Sequence, residues 1–218
     1  MPLNPNRPLL YLITSGATSE QTTSSSNEYS DVLKLTEAAV AAGIDLVQIR
    51  EKRLNTKVLF ELASRAAEIT RGTSTQLLIN DRSDVAAGAG ADGVHLTTQS
   101  LPVAAVRTSF GPELLIGVST HSAEEADAAR AGGADFVVFG PVFEPLSKPY
   151  GRPVGVQALS SVASVVAPLP VIALGGVDLG KVMECARAGA AGVAAITMFS
   201  DRDGLKDVVS EVRARFNR

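Results

Sequence analysis

Four times the chain passes from a helix end rich in small residues straight into a short apolar strand, and this cadence constrains the fold more than any other feature. The runs span Ala42–Arg50, Ala89–Leu96, Gly132–Gly140 and Ala188–Ile196. A glycine after a helix accepts a left-handed cap, and the Val/Ile/Phe run behind it reads as a buried parallel strand. Between these units lie strand candidates at Leu9–Thr14, Gln76–Asn80, Glu113–Val118 and Leu169–Leu174. Helical spacing fills Asp31–Ala42, Thr56–Arg71, Ala123–Ala131, Val156–Val166, Gly180–Ala188 and Gly204–Phe216, with shorter pieces at Asp84–Ala89 and Pro102–Ser109. Eight strands each followed by a helix, in 218 residues, close most simply as a (β/α)8 TIM barrel, expected to be a single domain over residues 1–218. A doubly wound open sheet is the alternative that the same pattern allows.

In a barrel of this kind the strand C-terminal ends carry the chemistry, so the polar residues there decide the functional reading. The second strand ends Gln48-Ile49-Arg50-Glu51-Lys52, and alternation turns Gln48, Arg50 and Lys52 to one side. An amide, a guanidinium and an ammonium converging on a barrel mouth suit a phosphate or pyrophosphate. The competing reading is that Arg50 and Glu51 pair at the rim. The third strand ends Asn80-Asp81-Arg82, where Asp81 suits magnesium or caps the following helix. Lys148, in the loop Glu144-Pro145-Leu146-Ser147-Lys148 after the sixth strand, adds a cation. Gly175-Gly176, read as leading into a helix, offers backbone N–H groups to a second phosphate, or is a tight turn. Thr197 brings a hydroxyl after the eighth strand.

Composition narrows the classes. With 45% hydrophobic and 20% charged residues the chain looks like an ordinary globular protein, and no apolar run is long enough for a bilayer. A net charge of -3 gives no basic footprint for nucleic acid, and the N-terminus lacks a signal-peptide core, so a cytoplasmic setting is expected. Two histidines leave no multi-histidine zinc site and count against a Ser-His-Asp triad. The single cysteine, Cys185, reads as buried packing. Residues 15–30, rich in Ser and Thr, read as a long polar loop, either a lid or an insertion without a role.

The strings Val47–Lys52, Ile79–Arg82, Ala91–Leu96, Ile116–His121, Gly140–Phe143 and Ala173–Gly176 resemble the thiamine phosphate synthase and thiazole tautomerase superfamily over nearly the whole chain. The resemblance implies a magnesium-assisted enzyme that couples hydroxymethylpyrimidine pyrophosphate to thiazole phosphate and releases pyrophosphate. It implies that Gln48 contacts the pyrimidine and that Arg50, Lys52, Asn80 and Lys148 clamp the pyrophosphate. Ser119 would bond the departing pyrophosphate or the pyrimidine, and Asp81 would hold Mg2+. Ser147, Gly175, Gly176 and Thr197 would bind the thiazole side. Partners are then small phosphorylated molecules, with room for a homo-oligomer. Three positions depart from the synthase pattern. Ser100 replaces a second metal-binding carboxylate, Glu144-Pro145-Leu146-Ser147-Lys148 stands where Pro-Thr-x-Thr-Lys is usual, and the first strand ends Thr14-Ser15 without an aspartate. The rival readings are a tautomerase using Glu144 as acid or base, although Pro141 replaces its histidine, and a non-catalytic barrel that binds phosphate ligands.

Overall fold

The computed structural model describes residue 3 and residues 7–144 and 153–216. Eight strands alternate with eight helices: β1 (Leu9–Ile13), α1 (Asn27–Ala42), β2 (Leu46–Ile49), α2 (Thr56–Thr70), β3 (Gln76–Asn80), α3 (Ser83–Ala89), β4 (Gly93–Leu96) and α4 (Val103–Phe110) form the first half. β5 (Leu115–Thr120), α5 (Ala123–Ala131), β6 (Phe136–Phe139), α6 (Gly155–Val165), β7 (Val171–Leu174), α7 (Val182–Arg187), β8 (Gly192–Ala195) and α8 (Leu205–Phe216) complete it. Every strand pairs in parallel with its sequence neighbours, and β1 also pairs with β8, Leu10 opposite Val193. That pairing closes the barrel and rules out the open sheet.

Two apolar layers hold it. Outward residues such as Leu10, Val47, Ile79, Ile116 and Val193 pack against the helices, while Leu9, Tyr11, Leu46, Leu78, Phe136 and Ile172 fill the interior. The interior fits because bulk is offset by its absence next door. A Cβ on Gly117 would lie 2.3 Å from the Phe136 ring, so glycine there makes the space that the ring occupies.

The repeated run has a second structural purpose at its start. Asp45, Asp92 and Asp135 stand just before β2, β4 and β6, and each carboxylate accepts the backbone N–H of a residue in the preceding strand: Leu10 at 2.9 Å, Leu77 at 2.8 Å and Ile116 at 2.7 Å. These N–H groups lie at the floor of the barrel, where the ladder begins. Arg7 and Arg213 pair with Asp45, and Arg107 pairs with Asp135 at 2.7 Å. The fourth run carries Ala191 at this place and has no carboxylate to offer; its backbone oxygen takes the N–H of Leu9 in the next strand at 2.9 Å, as the backbone oxygens of Asp45 and Asp92 take those of Gln76 and Leu115.

Some boundaries differ from the sequence reading. α1 begins at Asn27, four residues before Asp31, because Ser26 and the residues before it form a ladder of local side-chain bonds that ends the loop. β5 runs on through Ser119 and Thr120, and β7 starts at Val171 because Leu169 is held in a turn on Val166. Cys185 is fully buried, and burial pushes its thiol up to about 12, which fits packing.

Candidate active site at the barrel mouth

The inward row of side chains ends in a polar column. Gln48 of β2 donates from Nε2 to the Tyr11 hydroxyl at 2.8 Å, Tyr11 meets His95 Nδ1 at 3.1 Å, and His95 Nε2 meets Ser119 Oγ at 2.8 Å. Gln48 is 1% and His95 3% exposed, so these groups depend on one another for hydrogen bonds. Burial drives the His95 imidazole down to about 3, with the nearby Arg50 charge adding to the effect. His95 is therefore neutral at physiological pH. Burial likewise raises the Tyr11 phenol, partly offset by its bond from Gln48. Neither Tyr11 nor His95 was singled out from sequence. The available signal was parity, since Tyr11 falls on the same inward row as Leu9 and Ile13.

Above the column, the rim pairing of Arg50 with Glu51 does not occur. Glu51, 3% exposed, turns the other way and accepts four hydrogen bonds from the β1–α1 loop: Thr14 Oγ1 at 2.7 Å, Gly16 N at 3.2 Å, Thr18 N at 3.1 Å and Thr18 Oγ1 at 2.7 Å. Thr14 in turn accepts the Arg50 N–H at 2.8 Å. A buried carboxylate with this many donors is well solvated by the protein and fixes the loop beside β2. Thr18 and Thr22 are buried in consequence, so the first half of the Ser/Thr-rich stretch is tied to the barrel. The guanidinium of Arg50 stays at the mouth, and among the described residues no carboxylate pairs with it.

Lys52, Asn80, Asp81 and Thr97 line one cleft of about 360 Å3 at the ends of β2, β3 and β4. Asp81 takes φ 64°, the only positive φ outside glycine among the described residues, and its N–H is bonded to the His95 carbonyl at 2.9 Å. Aspartate tolerates this conformation better than most residues, at a cost of order 1 kcal/mol. It does not cap the next helix: the position before α3 is Arg82, which grips Asp84 at 2.8 and 2.7 Å and Thr56 at 3.1 Å. Arg82 is thereby taken up at the surface, and Asp81 is left as the mouth carboxylate.

One carboxylate beside an amide and cations fits magnesium that is held mainly through substrate phosphate oxygens, because Mg2+ commonly takes one or two carboxylates and completes its shell with phosphates and water. Among the described residues no cluster of three or more ligating side chains exists. Ser100 is turned inward, its Oγ accepting the Thr97 N–H at 2.8 Å, so it builds the turn before α4.

Across the mouth, the segment after β6 lies along β7, with Val142 N on Leu174 O at 2.8 Å and Phe143 N on Gly175 O at 3.0 Å. Gly175 and Gly176 have φ 95° and 61°, and a Cβ on either would lie 2.5 Å from Pro141 Cα or Glu144 O respectively. Their first role is to admit this close approach. They do not open directly into a helix, as the sequence suggested, because α7 starts only at Val182. Lys181 fills the interval: its Nζ donates to Gly176 O at 2.8 Å, pairs with Asp178 at 2.8 Å and sits 5.2 Å from the Phe143 ring centroid. No described residue accepts from the N–H of Gly176 or Thr197, which leaves both as donors for an anion. Thr197 itself is exposed in the turn after β8, one place beyond the inward row that ends with Ile196. Ser147 and Lys148 lie outside the described residues. Two clefts of about 460 and 680 Å3 open at the floor of the barrel, at the opposite end from the polar residues described above.

Comparison with known proteins points the same way. A family described as thiamine monophosphate synthase matches residues 10–199. The chain is 35% identical over 190 residues to a thiamine-phosphate synthase of Caldanaerobacter subterraneus, covering 85% of this chain and 88% of that protein. It is 44% identical over 160 residues to one of Anaeromyxobacter dehalogenans, covering 73% and 71%. Among solved structures, thiamine phosphate pyrophosphorylase from Pyrococcus furiosus superposes with a TM-score of 0.78 at 28% identity, over 98% of this chain and 97% of that one.

Proposed function

This chain belongs to the thiamine monophosphate synthase family, and from that premise we propose how its mouth carries out the coupling reaction. The enzyme is a transferase of thiamine biosynthesis that joins hydroxymethylpyrimidine pyrophosphate to thiazole phosphate. The bond between the pyrimidine methylene carbon and the pyrophosphate oxygen breaks, the leaving group keeps the electron pair, and the thiazole nitrogen supplies the pair for the new C–N bond. No proton has to move in that exchange. What the site must do is neutralise the leaving pyrophosphate and hold the thiazole in line.

The observation that carries the reading is that Arg50 stands without a carboxylate at the mouth while its neighbour Glu51 is spent on the loop. We assign Arg50, Lys52 and Asn80 to the pyrophosphate, together with Lys148, and Gln48 to the pyrimidine. Asp81 would hold magnesium, which when bound adds positive charge against the phosphate oxygens. The donors of Gly176 and Thr197 would take the thiazole phosphate, with Gly175 shaping the turn and Ser147 adding a hydroxyl. A base is absent from this scheme, and a neutral, sealed His95 agrees with that.

The test is a coupling assay with both substrates, with and without magnesium, following pyrophosphate release and product together. Turnover that needs both substrates and rises with magnesium is expected. Aromatisation of the thiazole without coupling would replace this reading by the tautomerase one.

A further inference from the structure

We propose that Tyr11 and His95 are positioning residues that fix the polarity of Ser119, so that its hydroxyl hydrogen is always directed away from the protein interior and toward the anion in the mouth. For the identity of that anion the inference rests on the coupling reaction above, but its logic is local. A tyrosine hydroxyl has one hydrogen to give. The Tyr11 hydroxyl accepts from Gln48 Nε2 at 2.8 Å, so its own hydrogen goes to the other partner, His95 Nδ1 at 3.1 Å. Nδ1 then carries no hydrogen, and a neutral imidazole must carry it on Nε2. Nε2 donates to Ser119 Oγ at 2.8 Å, which uses that oxygen as an acceptor and leaves its O–H for another partner.

The consequence matters because phosphate oxygens only accept. If the Gln48 amide were reversed, every bond in the column would reverse with it. Tyr11 would donate to the Gln48 oxygen, His95 Nδ1–H would donate to Tyr11, and Ser119 would spend its hydrogen on His95 Nε2. Ser119 would then present lone pairs to an anion. One amide orientation at β2 thus decides the hydrogen-bond character of a residue on β5, through groups that are closed to water and cannot re-pair with solvent.

The experiment uses the full-length protein labelled with 15N in histidine, and inorganic pyrophosphate as the probe. At neutral pH the His95 ring should show a directly bonded proton at Nε2 and none at Nδ1. Tyr11→Phe, which keeps the ring and its contacts, should weaken pyrophosphate binding and coupling turnover by roughly three- to tenfold, the effect of one neutral hydrogen bond. In a Ser119→Ala background the same Tyr11→Phe change should cost less than about twofold, because the residue through which it acts is gone. His95→Gln, which can place an N–H near the Nε2 position, should retain more pyrophosphate affinity than His95→Leu. A proton on Nδ1 in the wild type would overturn the polarity. Equal losses from Tyr11→Phe with and without Ser119 would overturn the positioning role, since packing alone predicts that result. If the wild type shows the Nε2 proton and this coupling of effects in pyrophosphate affinity yet never couples the two substrates, the relay stands and the reaction reading fails.

Discussion

The floor and the mouth of this barrel are both built from charged residues at strand ends, and they treat them in opposite ways. At the floor two of the three carboxylates are matched by cations: Asp45 holds Leu10 N, Arg7 and Arg213, and Asp135 holds Ile116 N and Arg107, while Asp92 holds Leu77 N. At the mouth the pairing offered by the sequence is declined. Glu51 lies next to Arg50 in the chain, yet its oxygens go to Thr14, Gly16 and Thr18. Charge balanced inside the protein stabilises the fold, whereas a guanidinium held without a carboxylate, as at Arg50, is on our proposal kept for a ligand. Two regions with similar charged residues therefore differ in what those residues bond to, through where each side chain is allowed to turn.

The sharpest way to break this contrast is Arg50→Ala. It should lower coupling turnover by about 10²–10³-fold, as removal of one donor to a developing anion does, while the melting temperature stays close to that of the wild type. A variant that folds and keeps full turnover would end the assignment of Arg50 to the pyrophosphate. The mirror experiment at the floor is Asp45→Ala, which removes the carboxylate partner of two arginines and leaves the Leu10 N–H unpaired, and should cost about 3 kcal/mol in urea unfolding. Turnover per folded molecule should be unchanged. If activity falls while stability holds, the division between floor and mouth is wrong.

A third expectation concerns pH and the sealed column. Burial brings the His95 imidazole from its ordinary 6.5 down to about 3, so between those values the unfolded chain binds more protons. Its contribution to stability is intact above the unfolded value and is lost as pH falls through the window, by about 2 kcal/mol at pH 5. Comparing unfolding free energies of wild type and His95→Gln at pH 7.5 and about 5 isolates this part, since the carboxylates are common to both. Parallel pH dependences would mean that His95 is not held neutral. The smallest effect is expected at the opposite rim. Glu144→Gln should change coupling by less than roughly tenfold, against the 10²–10⁴-fold loss typical of a general base. A loss in that larger range, measured on coupling and thiazole aromatisation together, would give Glu144 a proton to move.

Much of the molecule was readable before any coordinates. The αβ runs from Ala42, Ala89, Gly132 and Ala188 mark four strands, and apolar stretches mark the others, because strand burial and helix periodicity are local properties of the chain. The position of Gln48, Arg50, Asn80 and Ser119 near the C-terminal face follows from the same local order. Boundaries slipped where local side-chain bonding or a turn decides them, as at Asn27 and Val171.

What the sequence determined alone is the barrel and the set of polar residues at its mouth, since both follow from spacing along one chain. Only the tertiary structure decided which of those residues are spent and which are kept. Glu51 meets Thr18 across a separation of 33 residues, and Tyr11 meets His95 across 84. The hydrogen bonds that take Glu51 away from Arg50 and make His95 a neutral link exist only after closure, because closure removes the water that would otherwise satisfy those groups.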